Sequence, residues 1–226
     1  MPSSKFLDVY LREIGVKTPV SLLFCTPDRF PDSEIDAPDT GIMMVKDLPT
    51  LAMQALACKQ CVLSETRSDV MFGSGCEDAD VLLVGDVPHG ESEQGDMFTG
   101  DPSLLLDNIL KAIGLQREQV YIAHIIQCDT PDHRDPNADE WAACRRWLQQ
   151  KISLMQPKLI LLMGRVAAQT LLQSHDALHD LRGQWHRYQD VPVRVIYHPA
   201  YLLRSPRQKD EMWKDLQLIQ ARLTSL

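Results

Sequence analysis

Four cysteines at positions 58, 61, 128 and 144 have the types and spacing for metal chemistry. They read C-x2-C, then a gap of 66 residues to Cys128, then 15 residues to Cys144. A close pair plus two distant single cysteines suits a [4Fe–4S] cluster, in which each iron takes one thiolate. Four thiolates also make a tetrahedral zinc site. Two disulfides are a third arrangement, but structural disulfides are rare in the reducing cytosol. Spacing alone leaves cluster, zinc and unligated thiols open. Cys25 and Cys76 are left over, and a lone cysteine is usually a small buried hydrophobe.

A second set of reactive types falls at the ends of apolar runs. VLLVGD (81–86) ends in Gly85-Asp86, VYIAHII (120–126) leads to Gln127-Cys128, LILLMG (159–164) ends in Gly164, and VRVIYH (193–198) ends in His198-Pro199. Helical patterns lie between them: SLLLDNILKAIG (103–114), ADEWAACRRWLQQKISLM (138–155), RVAAQTLL (165–172) and a closing RQKDEMWKDLQLIQARL (207–223). Apolar strands alternating with helices imply an α/β fold, a three-layer αβα sandwich with a mostly parallel central sheet. Ligands of open α/β sheets bind beyond the carboxyl ends of the strands. Asp86, His89, His124 and His198 are therefore expected in one cleft, with Cys128 close by.

The first residues form a different pattern. KFLDVYLREIGV (5–16) places Phe6, Val9, Tyr10 and Ile14 near one helical face and ends at Gly15. TPDRFPDSEIDAPDTG (26–41) is rich in Pro, Asp and Ser and reads as a linker. The expected organisation is a partner-docking amphipathic segment over 1–25, a linker over 26–49 and a folded domain over 50–226. The start lacks a basic and apolar leader, and no apolar run approaches membrane-spanning length, so a cytoplasmic protein without membrane contact is expected. The net charge of −8, from 31 acids and 23 bases, argues against tight non-specific DNA binding. Arg145, Arg146, Arg204, Arg207 and Lys209 remain candidates for a local basic track.

From Cys58 to about Trp213 the chain resembles the iron–sulfur, or family four, uracil-DNA glycosylases. The pieces that carry the resemblance are CKQCVLSETR (58–67), VLLVGDVPHGESEQGDMFTG (81–100), LLLDNILKAIGLQREQVYIAHIIQC (104–128), Cys144, PKLILLMGRVAAQTLL (157–172), LRGQW (181–185) and YHPAYLLRSP (197–206). The resemblance implies a uracil-DNA glycosylase-like fold and a [4Fe–4S] cluster on Cys58, Cys61, Cys128 and Cys144. It also implies catalysis by Asp86, which would orient water, and by His198, which would stabilise the departing uracil anion. Phe98 would stack on the flipped base, and Leu202, Leu203 and Arg204 would fill or contact the DNA gap.

Several positions depart from the family pattern. Gly-Asp-Val-Pro-His-Gly (85–90) stands where the family has Gly-Glu-Ala-Pro-Gly, so the acid is one methylene shorter and His89 is inserted. His124 stands where an asparagine reads the uracil edge. Asparagine offers a donor and an acceptor side by side, whereas neutral histidine has them on opposite ring edges. Gln127 and Asp129 replace basic residues. These changes make Phe98, His124 and His89 a degenerate base pocket.

YLREIGVKTPVSL (10–22) is similar to the start of the psi subunit of the bacterial DNA polymerase III clamp loader. That likeness makes Phe6, Val9, Tyr10, Leu11, Ile14 and Leu22 docking residues. The resulting expectation is a non-catalytic psi-like adaptor joining clamp-loader subunits to chi and single-stranded-DNA-binding protein. The alternative is an active glycosylase that acts on single-stranded or uracil-containing DNA. A third possibility is a DNA binder that only senses damage.

Overall fold

The structure, a computed structural model, describes residues 45–88 and 100–225. Phe6, Val9, Tyr10, Leu11, Ile14, Leu22, His89 and Phe98 lie outside these residues, as does the amphipathic segment over 1–25.

Six strands form one sheet: β1 (Ser74–Gly75), β2 (Val81–Gly85), β3 (Val120–His124), β4 (Leu159–Met163), β5 (Trp185–Tyr188) and β6 (Val191–Ile196). Their order is β1-β3-β2-β4-β6-β5. The four inner strands run parallel, and β1 and β5 are antiparallel edges. The inner runs are buried on both faces, which is why β2, β3 and β4 are almost wholly apolar rather than alternating.

Eight α-helices are described: α1 (Leu48–Leu56), α2 (Leu63–Thr66), α3 (Gly100–Ala112), α4 (Ala138–Met155), α5 (Arg165–Leu171), α6 (Leu178–Leu181), α7 (Pro199–Arg204) and α8 (Lys209–Leu223). One core holds Leu51 of α1, Leu148 and Ile152 of α4 and Ala167 of α5 against Leu82, Ala123, Ile160 and Val195. The other holds Leu106 and Ile109 of α3 and Met212 and Leu216 of α8 against Leu83, Ile122, Leu161 and Ile196. Alternate residues of each strand enter opposite cores, which makes the three layers. Among the described residues no helix is long and apolar enough to cross a membrane.

α1 lies within the stretch expected to be linker and domain edge. Asp47 caps it by accepting from the Thr50 backbone N–H at 2.7 Å, and Leu48, Leu51 and Ala55 are buried. Its three buried residues recur at i, i+3 and i+7, the spacing that faces one side of a helix.

Candidate active site and cysteine cavity

The chain crosses from β2 through α3 to β3 on one side, and β4 lies on the other side of β2. A crevice opens where such a strand order reverses, at the carboxyl ends of the two diverging strands. A cleft of about 1250 Å³, counting its open mouth, lies there. Asp86, Gly164, Arg165, Tyr197, His198 and Arg204 are among its walls.

Asp86 follows β2. Its Oδ1 accepts from the Ala167 backbone N–H at 2.6 Å, so it caps a helix on a neighbouring strand's connection. The N-cap of α5 is Gly164, which has no side chain to satisfy that donor. Gly164 has φ +108, and a Cβ there would stand 2.5 Å from Asp86 Oδ2. Glycine is thus required twice, by backbone angle and by contact with the carboxylate. Burial pushes the Asp86 carboxyl up to about 6. The Ala167 N–H and the Arg165 guanidinium oppose that rise, and Asp135 adds to it. Arg165 in turn pairs with Asp135 at 2.6 Å.

His198 ends the segment after β6 and is the N-cap of α7. Its Nδ1 accepts from the Ala200 backbone N–H at 3.2 Å. An accepting Nδ1 assigns the proton of the neutral ring to Nε2. The ring is therefore a donor at Nε2, beside the same cleft as Asp86.

Not every residue expected in this cleft is among its described walls. His124 is 3% exposed and is not among the described residues that line it. It pairs with Gly85 at the end of β2, and the next residue, Ile125, donates its N–H to the Asp86 carbonyl at 3.3 Å, so the strand end is beside Asp86 while the side chain is buried. Cys128 lines a different cavity. Leu202 is 1% exposed and belongs to the core, so it cannot enter a DNA gap; its neighbour Leu203, at 39%, is exposed. Arg165 and Tyr197 are cleft residues that the sequence reading missed. Arg165 directly follows the strand-ending Gly164, and Tyr197 directly precedes His198, so adjacency was the available signal.

All four predicted cluster cysteines surround a second cavity of about 300 Å³, counting its mouth. Cys58 and Cys61 come from the turn between α1 and α2, Cys128 from the loop after β3, and Cys144 from α4. No carboxylate or imidazole lines it, so its donor set is thiol alone. Sulfur-directed donors surround it. The Gln127 N–H reaches Cys144 Sγ at 3.3 Å, Arg67 Nη1 reaches Cys128 Sγ at 3.5 Å, and Arg146 Nη2 reaches Cys58 Sγ at 3.9 Å. Burial pushes the Cys144 thiol up to about 12 and raises Cys128 as well. A thiolate here needs a bound metal charge to form. Among the described residues no group of three His, Cys, Asp or Glu side chains could hold a metal ion. The four thiols line one cavity, and their soft-donor chemistry with the N–H groups beside them fits an iron–sulfur cluster.

Gln127 and Asp129, beside Cys128, have structural partners. Lys151 is fully buried, and its Nζ donates to Gln127 Oε1 at 2.5 Å and to the Phe72 carbonyl. Asp129 Oδ1 accepts from the Ser68 N–H at 3.3 Å.

A mostly parallel sheet with a carboxylate and a histidine at its switch point defines an α/β protein whose ligand site is built from strand ends. Residues 72–217 match the Uracil DNA glycosylase superfamily. The Type-4 uracil-DNA glycosylase of Archaeoglobus fulgidus is 30% identical over 184 residues, covering 77% of this chain and 92% of that protein. The Type-4 enzyme of Pyrobaculum aerophilum is 32% identical over 179 residues, covering 75% and 91%. That of Thermotoga maritima is 31% identical over 153 residues, covering 66% and 79%. The chain belongs to the uracil-DNA glycosylase superfamily.

This overturns the non-catalytic psi adaptor. The glycosylase match spans most of the folded domain, whereas the psi likeness rested on residues 10–22. The clamp-loader and chi partners have no support with it.

Proposed function

We propose that this protein is a uracil-DNA glycosylase that hydrolyses the bond between uracil and deoxyribose. The observation that carries this reading is the pairing of Asp86 and His198 across one cleft, with His198 Nδ1 engaged by the Ala200 N–H. In the proposed step, water attacks C1′ as the C1′–N1 bond breaks. The bonding pair leaves with the base as its anion. Asp86 orients the water and takes its proton. The His198 Nε2–H donates a hydrogen bond to the oxygen that gains charge. The anion then takes up a proton from solvent and Asp86 returns its own, so the products are free uracil and an abasic sugar. A carboxyl near 6 suits that task, because it is mostly ionised at neutral pH yet remains basic.

Cys58, Cys61, Cys128 and Cys144 would hold a [4Fe–4S] cluster, whose chemistry here is structural cross-linking of the α1–α2 turn to the sheet. DNA containing uracil is the proposed partner, with Leu203 and Arg204 at its edge. The test is uracil release from single- and double-stranded uracil DNA by anaerobically purified protein with its iron counted. Release that is lost in Asp86→Ala and His198→Ala supports the reading. No release from iron-replete protein would overturn it.

A further inference from the structure

Arg194 lies in a strand that is otherwise apolar where it is buried. It is 0% exposed and faces Leu161, so it enters the core covered by α8. Asp215 of α8 accepts from Arg194 Nη2 at 2.8 Å. The same carboxylate accepts from Arg182 Nε at 2.9 Å and from Arg182 Nη2. Two guanidinium groups therefore share one carboxylate, leaving a buried net charge of +1. Arg194 Nε and Nη1 are buried and have no hydrogen-bond partner among the described residues. A buried charge without its counter-charge costs stability, so the sequence carries it at some expense.

That charge lies against the cleft wall. The Arg182 Cζ stands 3.7 Å from the ring centroid of Tyr197. Tyr197 lines the cleft, donates its hydroxyl proton to Gln208 Oε1 at 2.9 Å and packs on Tyr201 with centroids 5.1 Å apart. Gln208 and Tyr201 line the same cleft. The cleft's Arg165 is 52% exposed and paired with an exposed carboxylate, so solvent and salt screen it. The triad is not screened in that way.

We propose that the Arg182–Asp215–Arg194 triad, through Tyr197, electrostatically stabilises the negative charge that forms on the departing base. Arg182 does not line the cleft and acts through Tyr197, so it is a positioning residue. The inference rests on the uracil-excision reading above. A unit charge about 10 Å away, at an effective dielectric of about 20, changes a rate by roughly 10-fold.

The test compares single-turnover release of uracil and of 5-fluorouracil by the full chain and by Arg182→Met, Arg182→Gln and Arg182→Lys. The fluorine makes the leaving anion more stable, so it needs less help. The neutral variants should lose roughly 10-fold on uracil and clearly less on 5-fluorouracil. The loss should persist from low to high salt, and lysine should recover most of it. Either neutral variant suffices if thermal melting shows that the other does not fold. Equal losses on the two bases, or a loss confined to KM, would show a structural role and overturn the proposal. A wild-type protein that releases neither base removes the excision reading itself, which is a different result.

Discussion

Replacing Asp86 with asparagine should make the protein more stable and inactive at once. The carboxyl sits near 6 in the folded protein, against an ordinary value of 3.8, mainly because burial disfavours its charge. A carboxyl whose pKa is raised on folding lends stability in its neutral form. That stability is fully present below pH 3.8 and is lost as pH rises through about 6. At pH 7.5 the ionised group therefore costs about 3 kcal/mol. Asparagine carries no charge and can still accept from the Ala167 N–H, though less strongly, which returns about 1 kcal/mol of the gain. The net gain of about 2 kcal/mol corresponds to a rise in Tm of roughly 4–8 °C in a chain of this size. Melting curves at pH 7.5 and at pH 4 test this, because the difference should shrink toward zero in acid. Uracil release should fall at least about 100-fold in the same variant. In the wild type, release should decline as pH drops through about 6. An Asp86→Asn protein that melts at or below the wild-type temperature at pH 7.5 would refute the argument that this carboxylate is held ionised against its burial.

Gly164→Ala should destabilise by about 1–3 kcal/mol from its φ of +108 and should also displace the Asp86 carboxylate, so activity falls more than stability does; melting and single-turnover assays separate the two. Leu202→Ala should cost about 2–5 kcal/mol, because the side chain is core. Leu203→Ala should stay within about 0.5 kcal/mol yet slow release from duplex more than from single strands. Cys144→Ser should lose iron and brown colour and lower stability by about 3 kcal/mol or more, which iron counting and melting would both register.

The inner sheet was legible because β2, β3 and β4 are continuous apolar runs closed by Gly or a polar residue. The edges were not. β1 is two residues long, and β5 is the half-exposed Trp-His-Arg-Tyr, which has no apolar run. α1 was hidden because its nine residues follow a stretch that reads as linker. That Asp86 and His198 share one cleft was legible because each follows an apolar strand run. The burial of His124 was not legible, because the order β3-β2-β4-β6, which sets the strand ends that line the cleft, is invisible in one dimension. The altered motif around Asp86 reads as erosion, yet the carboxylate keeps a capping contact and a place in the cleft. Arg194 did carry a signal: a cation inside Val-Arg-Val-Ile must find a buried anion. Its partner Asp215 is 21 residues away on a helix whose acids otherwise read as surface.

The cysteine cavity also bears on the order in which the molecule is built. Cys128 and Cys144 are brought together by one strand-to-helix connection, but Cys61 and Cys128 are separated by 66 residues. Closing a flexible loop of that length costs roughly 4 kcal/mol of chain entropy, beyond a constant. Here β2, α3 and β3 fold within the loop, and α1 docks on α4 through Leu51 and Ala55, so the closure is made by ordinary packing. A cluster would then enter a site that the polypeptide has already gathered, unlike a zinc finger, whose metal must gather the chain. Late insertion of the inorganic group, after the sheet is complete, is the assembly order this topology favours.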